Sequence, residues 1–242
     1  MGVLFQSRYR AINTAISQYA DKQIVELAAG LSTRGFEWVQ QNHDGIYVES
    51  DLPQLMQRKA LLIRKVVSRG DAQAGGILHC CAADVCVLED LLRVIEYLDT
   101  SQPITVVTEG LLLYLSSSEM ESVWGHMAEL MRRSPTITWV TDLVSRENLQ
   151  QLCATAADVA AAVKNVFANT GRRVLADNPF QDEDAITRWI ERFGMNVDSS
   201  VGLAECSGSL QSRMPVSQAD RRAIVGTRKI WCLRHGTSTS RC

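Results

Sequence analysis

The sequence predicts an α/β protein: a mostly parallel sheet with helices on both faces and an antiparallel last strand. Three observations lead there. Short β-rich runs alternate with longer helix-compatible stretches from Ile24 to Asp142, as in a parallel sheet wound by crossover helices. Acidic residues and glycines fall just after these runs, at the carboxyl ends of strands, where open α/β sheets take their ligands. Two late strand candidates lie near the end of the chain and read as an antiparallel hairpin closing the sheet edge.

Taken in order, Ile24 to Ala28 (IVELA) is a short apolar run entering Ala29-Gly30, and Thr33 to Asn42 is helix-compatible. Ile46 to Glu49 is the next β-rich run, closed by Ser50-Asp51-Leu52-Pro53. A basic helix over Gln54 to Ser68 places Leu55, Leu62, Ile63 and Val66 on one apolar face. Ile77 to Ala82 is the third strand and Val87 to Leu98 the helix after it. Ile104 to Thr108 is the fourth strand, with Glu109-Gly110 at its carboxyl end. Ser118 to Arg132 is helical, capped by a serine of the Ser116–Ser118 run. Thr136 to Thr141 is the fifth strand and ends in Asp142. Arg146 to Thr170 reads as a long helix stopped by Gly171, and Asp182 to Phe193 as another ended by Gly194. The late strands fall near Val197 to Leu203 and at Lys229 to Leu233.

At 242 residues, without repeats or a low-complexity linker, the chain reads as a single domain over 1–242 with a helical cover around 145–194. The 25 Lys and Arg against 27 Asp and Glu leave a net charge of −2, which offers no basic field for nucleic acid. A hydrophobic content of 46% rules against disorder. The seven cysteines are odd in number and lack framework spacing, which points to a reducing, cytoplasmic setting. Cys80, Cys81 and Cys86 cluster without a C-x-x-C pair and read as small hydrophobes on a buried strand rather than a metal site. No signal-peptide core and no apolar run long enough to span a bilayer appear, so no membrane role is expected.

The segment Ile24 to Trp38 (IVELAAGLSTRGFEW) carries the chemistry. A strand bearing Glu26 runs into Ala28, Ala29 and Gly30, whose small side chains let the backbone approach a ligand closely. A nicotinamide dinucleotide fingerprint needs G-x-G-x-x-G, and only Gly30 and Gly35 are present. Arg34, at the start of the helix, suits a ligand carboxylate through a bidentate fork; the bland alternative is a solvated helix charge.

Three stretches, IVELAAGLSTRG, YVESDLP with its following Lys59, and VVTEGLLLYLSSSEM, resemble successive motifs of the leucine carboxyl methyltransferase family, and the Ala-Ala-Gly variant resembles its bacterial, polyketide-type O-methyltransferase branch. The resemblance covers roughly Arg8 to Leu233. It implies a Rossmann-like class I methyltransferase fold with seven strands, and S-adenosylmethionine as cofactor. It also implies site residues. Glu26, Ala28 and Gly30 would frame the cofactor turn, Arg34 would hold the methionyl carboxylate, and Asp51 would accept hydrogen bonds from the ribose. Asp84 and Val85 would face the adenine, and Glu109 would lie near the methionyl ammonium. Family members also place a basic residue near the cofactor carboxylate ahead of the first strand, where Arg8 and Arg10 stand.

Plainer readings accompany several of these. Glu49 and Asp51 both follow the second strand, and the family register favours Asp51 as the ribose acid. Asp84 equally suits a helix cap. Tyr114, just past the fourth strand, is either a substrate contact at the methyl-transfer centre or a core aromatic. Arg8 and Arg10 are otherwise charges on a solvated helix. Four histidines, His43, His79, His126 and His235, show no metal-ligand spacing and no adjacent nucleophile. The function expected is methylation of a carboxylate or phenolic hydroxyl on a small metabolite by direct displacement, with no metal. Only seven residues precede Arg8, fewer than in family members. That brevity opens two options: a homodimer partner completing the cover, or a cofactor-binding relative without turnover that acts as a partner or regulator.

Overall fold

Seven strands and seven helices form among the described residues of a computed structural model, which describes residues 2–68, 75–155, 178–206 and 228–236 with positions 160, 161, 164, 165, 168, 225 and 226. In chain order they are α1 (Gly2–Tyr19), β1 (Gln23–Leu27), α2 (Arg34–Gln41), β2 (Ile46–Asp51), α3 (Pro53–Ser68), β3 (Ile77–Ala82), α4 (Leu88–Ile95) and β4 (Ile104–Thr108). A single 3-10 turn (Leu112–Tyr114) follows, then α5 (Ser117–Arg133), β5 (Ile137–Asp142), α6 (Arg146–Thr155), α7 (Glu183–Arg192), β6 (Met195–Gly202) and β7 (Lys229–His235). The strands form one mixed sheet in the order β3-β2-β1-β4-β5-β7-β6. β1 runs parallel to β2 and β4, β2 parallel to β3, and β6 antiparallel to β7. The order reverses between β1 and β4, so their carboxyl ends flank the crevice where such sheets bind ligands.

Two compact units divide the chain: Tyr19–Glu109 with Ser122–Trp139, and Met1–Gln18, Gly110–Glu121 and Val140–Cys242. In the first, β1 and β4 are buried at every position, as interior parallel strands require, and their sequences QIVEL and ITVVT are correspondingly apolar. Trp124 and Trp139 meet edge to face with ring centroids 4.7 Å apart, and Trp139 Nε1 donates to Thr108 Oγ1 at 3.0 Å. Two expectations are corrected here. β3 is the edge strand, so Cys80 and Cys81 are half-buried and not core residues. The expected apolar face of α3 is also not buried. Leu62 and Val66 are exposed, while Met56 and Lys59 point inward, because a buried carboxylate on β2 waits for Lys59.

In the second unit, α1 buries Val3, Ser7, Ala11, Ile12, Ala15 and Ile16 at helical spacing. α5 starts with a capping box: Glu119 N donates to Ser116 Oγ at 3.3 Å, and Ser116 N donates to Glu119 Oε2 at 2.7 Å. Asp182 caps α7 by accepting from Ala185 N at 2.7 Å, and α7 packs on β6. α6 is described as far as Thr155, and beyond it positions 160, 161, 164, 165 and 168 are also helical; the rest of the expected helix to Thr170, with Gly171, lies outside the described residues. Among the described residues no helix is long and apolar enough to cross a membrane.

Candidate functional site

β1 ends at Leu27 and the chain turns sharply, with Ala28 at φ +53° and Gly30 at φ +55°. The left-handed region costs an L-residue roughly 1–2 kcal/mol, so Ala28 needs a structure that holds it there. Asp51 supplies part of that hold: its Oδ2 accepts from Gly30 N at 2.8 Å and its Oδ1 from Leu52 N at 2.7 Å. Ala29 N donates to Ser50 O at 2.9 Å, tying the turn to the end of β2. An ionised carboxylate has about four acceptor positions, so half-buried Asp51 retains capacity for hydroxyl donors.

Glu49 has no such freedom. It is fully buried and paired with Lys59 Nζ at 2.8 Å, with Cys80 Sγ at 3.8 Å. Burial pushes its carboxyl up despite Lys59, and Cys80 rises to about 11 through burial and the Glu49 charge. Of the two acids after the second strand, Asp51 alone keeps an exposed side.

Arg34 takes a different place from the one expected. Its guanidinium is 2% exposed, with Nη1 on Glu26 and Nη2 donating to Glu109 Oε2 at 2.5 Å. It is not a solvated helix charge, and both of its terminal nitrogens meet carboxylates of the chain. Tyr47, also buried, donates from its hydroxyl to Glu26 Oε2 at 2.9 Å. Burial raises the Glu26 carboxyl, while Glu26 and Glu109 more than offset burial at Arg34 and hold its proton. Glu109, at 16% exposure, carries the open edge of this group. Gly35 makes this geometry reachable: a Cβ there would stand 2.6 Å from Glu49 Oε1 and 2.7 Å from Tyr47 Cδ1.

After β3, Asp84 Oδ1 accepts from Cys86 N at 2.9 Å, and Asp90 Oδ2 accepts from Asp84 N at 2.8 Å. The cap position of α4 belongs to Val87, so Asp84 shapes the turn rather than capping the helix. Val85 is buried, and its carbonyl lies 3.2 Å from His126 Nδ1, which gives that histidine a place holding the loop.

The other unit holds a second cluster. Asp142, at the end of β5, accepts from Gly110 N at 2.8 Å through Oδ1 and meets Arg8 Nη1 at 3.2 Å through Oδ2. Gly110 sits at φ +64°, and a Cβ there would stand 3.0 Å from Arg8 Nη2. Arg8 is therefore built in rather than solvated, whereas Arg10 is exposed. Tyr114 is 49% exposed and not a core aromatic. Arg228, just before β7, is buried.

Sequence reasoning missed Tyr47, Asp142 and Arg228 as members of these clusters. Asp142 had a usable signal, being an acid at the carboxyl end of a parallel strand. Tyr47 and Arg228 carry no motif.

The sheet order, the antiparallel last hairpin and the small-residue turn after an acidic β1 define a class I methyltransferase fold. The family profile described as leucine carboxyl methyltransferase matches residues 4–128. The chain belongs to that family, which uses S-adenosylmethionine. Solved structures of low identity share the fold. A DUF574-family protein from Streptomyces avermitilis is 12% identical, with a TM-score of 0.62 over 96% of this chain and 82% of that one. Magnesium protoporphyrin IX methyltransferase from Synechocystis PCC 6803, solved with bound S-adenosylhomocysteine, is 10% identical with a TM-score of 0.53, over 97% and 86%. Mitomycin 7-O-methyltransferase is 12% identical with a TM-score of 0.53, and the chain spans 95% of itself but 54% of that enzyme. No curated protein sequence matches the chain significantly.

Proposed function

We propose that the chain is an S-adenosylmethionine-dependent O-methyltransferase acting on a carboxylate or phenolic hydroxyl of a small, polyketide-like acceptor. The observation that carries the reading is the Ala28–Gly30 turn clamped by Asp51, beside the open carboxylate edge of Glu109. The residues fit the cofactor. Asp51 takes the ribose hydroxyls on its remaining acceptor positions, and Gly30 keeps the backbone close. Asp84 and Val85 face the adenine. Glu109 meets the methionyl ammonium, its open carboxylate edge suiting a cationic group. Arg34 acts through Glu109, fixing its orientation from behind instead of touching the cofactor.

S-adenosylmethionine, when bound, supplies an electrophilic methyl group on a sulfonium. The protein's part is alignment, and well-oriented reactants can save roughly 7–11 kcal/mol of barrier. An acceptor carboxylate is ionised at neutral pH and needs no base, whereas a phenol, with a pKa of about 10, gains from one. Tyr114, exposed just past β4, serves as an acceptor contact. Labelled methyl transfer to a panel of small aromatic acids and phenols tests the reading. Ester or ether products are expected from the wild type, with Asp51→Asn at least about tenfold slower at limiting cofactor. No transfer to any acceptor, together with no cofactor binding, would refute it.

A further inference from the structure

The sheet has two edges, and they are finished differently. β6, at one end, carries Asp198 and a break of register between Val197 and Ser199. Charges and bulges are devices that keep an edge strand from pairing with another chain. β3, at the other end, reads ILHCCA and has neither: it holds no acidic residue, lysine, arginine or proline, and its register with β2 is unbroken from Ile77 to Ala82. Ile77 N donates to Gly45 O and Ala83 N to Asp51 O, so the odd-numbered residues of β3 turn their backbone groups toward β2. The N–H and C=O of Leu78, Cys80 and Ala82 therefore point outward, and among the described residues no strand takes them. An open groove of about 560 Å³ runs beside this edge, lined by Cys80, Cys81 and Ala82 and by Arg93, Glu96 and Tyr97 at the end of α4. Ile77, the first residue of the strand, is 53% exposed.

We propose that the β3 edge pairs antiparallel with the same edge of a second copy of this chain, about a two-fold axis at Cys80. The strand suits itself as partner. Its first half is bulky (Ile77, Leu78, His79) and its second half small (Cys80, Cys81, Ala82). In the reversed register that matches the outward groups, Leu78 faces the partner's Ala82, His79 faces the partner's Cys81, and Cys80 faces the partner's Cys80. Leu78 and His79 thus each meet a small side chain, and each facing pair of outward residues exchanges two N–H···O bonds. The groove adds charge complementarity. Arg93 and Glu96 stand one turn apart beside Cys80–Ala82, with Arg93 also paired to Asp90 on its own helix. The two-fold axis reverses their order in the second copy, so Arg93 looks toward the partner's Glu96. α3, which packs on β3, leaves Leu62 and Val66 exposed as apolar surface for the same contact. This inference does not rest on the methyltransferase reading.

Sedimentation equilibrium of the full chain over a concentration series tests the pairing. The wild type is expected to show a reversible monomer–dimer equilibrium. Leu78→Pro removes an outward N–H and leaves the β2 ladder its donors, while Ile77→Lys places a charge on the edge. Each is expected to raise the dissociation constant at least about a hundredfold. Val197→Lys, the matching change on β6, is expected to leave it unchanged. Arg93→Glu and Glu96→Arg are each expected to weaken the dimer about tenfold, and the double variant to restore it. Amide exchange gives an independent readout: protection of the Leu78, Cys80 and Ala82 N–H groups should rise with protein concentration. If Leu78→Pro does not fold, Ile77→Lys and the charge exchange decide. A wild type that is monomeric at every concentration overturns the proposal. So does a dimer that survives both edge variants, or a double charge variant no tighter than the singles.

Discussion

Around β1 and β2 each buried cation rests on a carboxylate: Arg34 between Glu26 and Glu109, and Lys59 on Glu49. Before β7, buried Arg228 meets no carboxylate among the described residues and lies near the charge of Arg8. The first arrangement is complete in the folded chain and presents negative charge at Glu109. The second shows no such pairing at Arg228 among the described residues. Buried ion pairs add little stability compared with apolar packing, but breaking one is costly, so the paired set acts as a rigid frame.

The sharpest way to break this contrast is Arg34→Met. It leaves Glu26 and Glu109 without their common partner, and removing one member of a buried pair costs roughly 3–5 kcal/mol. Urea unfolding is expected to show that loss. Next comes Gly35→Ala, whose methyl would press on Glu49 and Tyr47. Overpacking of this kind costs about 1–3 kcal/mol, and at about 2–4 °C per kcal/mol for a chain of this size the melting midpoint should fall by several degrees.

A smaller effect comes from pH. Glu26 and Glu49 have folded pKa values above their ordinary 4.5, chiefly through burial. Above 4.5 the native state therefore binds more protons than the unfolded chain, and stability falls as pH rises through the raised values. Unfolding midpoints across that range should decline, and Glu26→Gln, which keeps Arg34 on Glu109, should make the decline shallower. The smallest expected change is from Ala28→Gly. Relief of a left-handed alanine, about 1–2 kcal/mol, is offset by roughly 0.5–1 kcal/mol of glycine entropy, so a modest rise in the melting midpoint is expected.

Much of the frame was legible in the chain. β4 has the expected bounds, Ile104–Thr108, and the hairpin of β6 and β7 was visible from its apolar runs. Asp51 and Gly30 were picked out because turn chemistry is local, and they do meet. Pairings across elements were not legible. Arg34 looks like a ligand fork in sequence, since nothing nearby says that Glu26 and Glu109, from neighbouring strands, converge on it. α3 was misread for the same reason. Periodicity put Leu62 and Val66 inward, but a buried Glu49 on β2 rotates Lys59 toward the sheet. Arg228 stands alone in sequence, and nothing local says that it is buried.

The most direct test of the central claim is a calorimetric titration with S-adenosylhomocysteine on the wild type and Asp51→Asn. The variant keeps an oxygen for Gly30 N but loses the carboxylate, and hydrogen bonds to a charged group contribute about 1.5–3 kcal/mol. Saturable one-to-one binding, about ten- to a hundredfold weaker in Asp51→Asn, is the result predicted here. Equal affinity in both proteins, or no binding to the wild type, would contradict the placement of the cofactor at the Asp51-clamped turn.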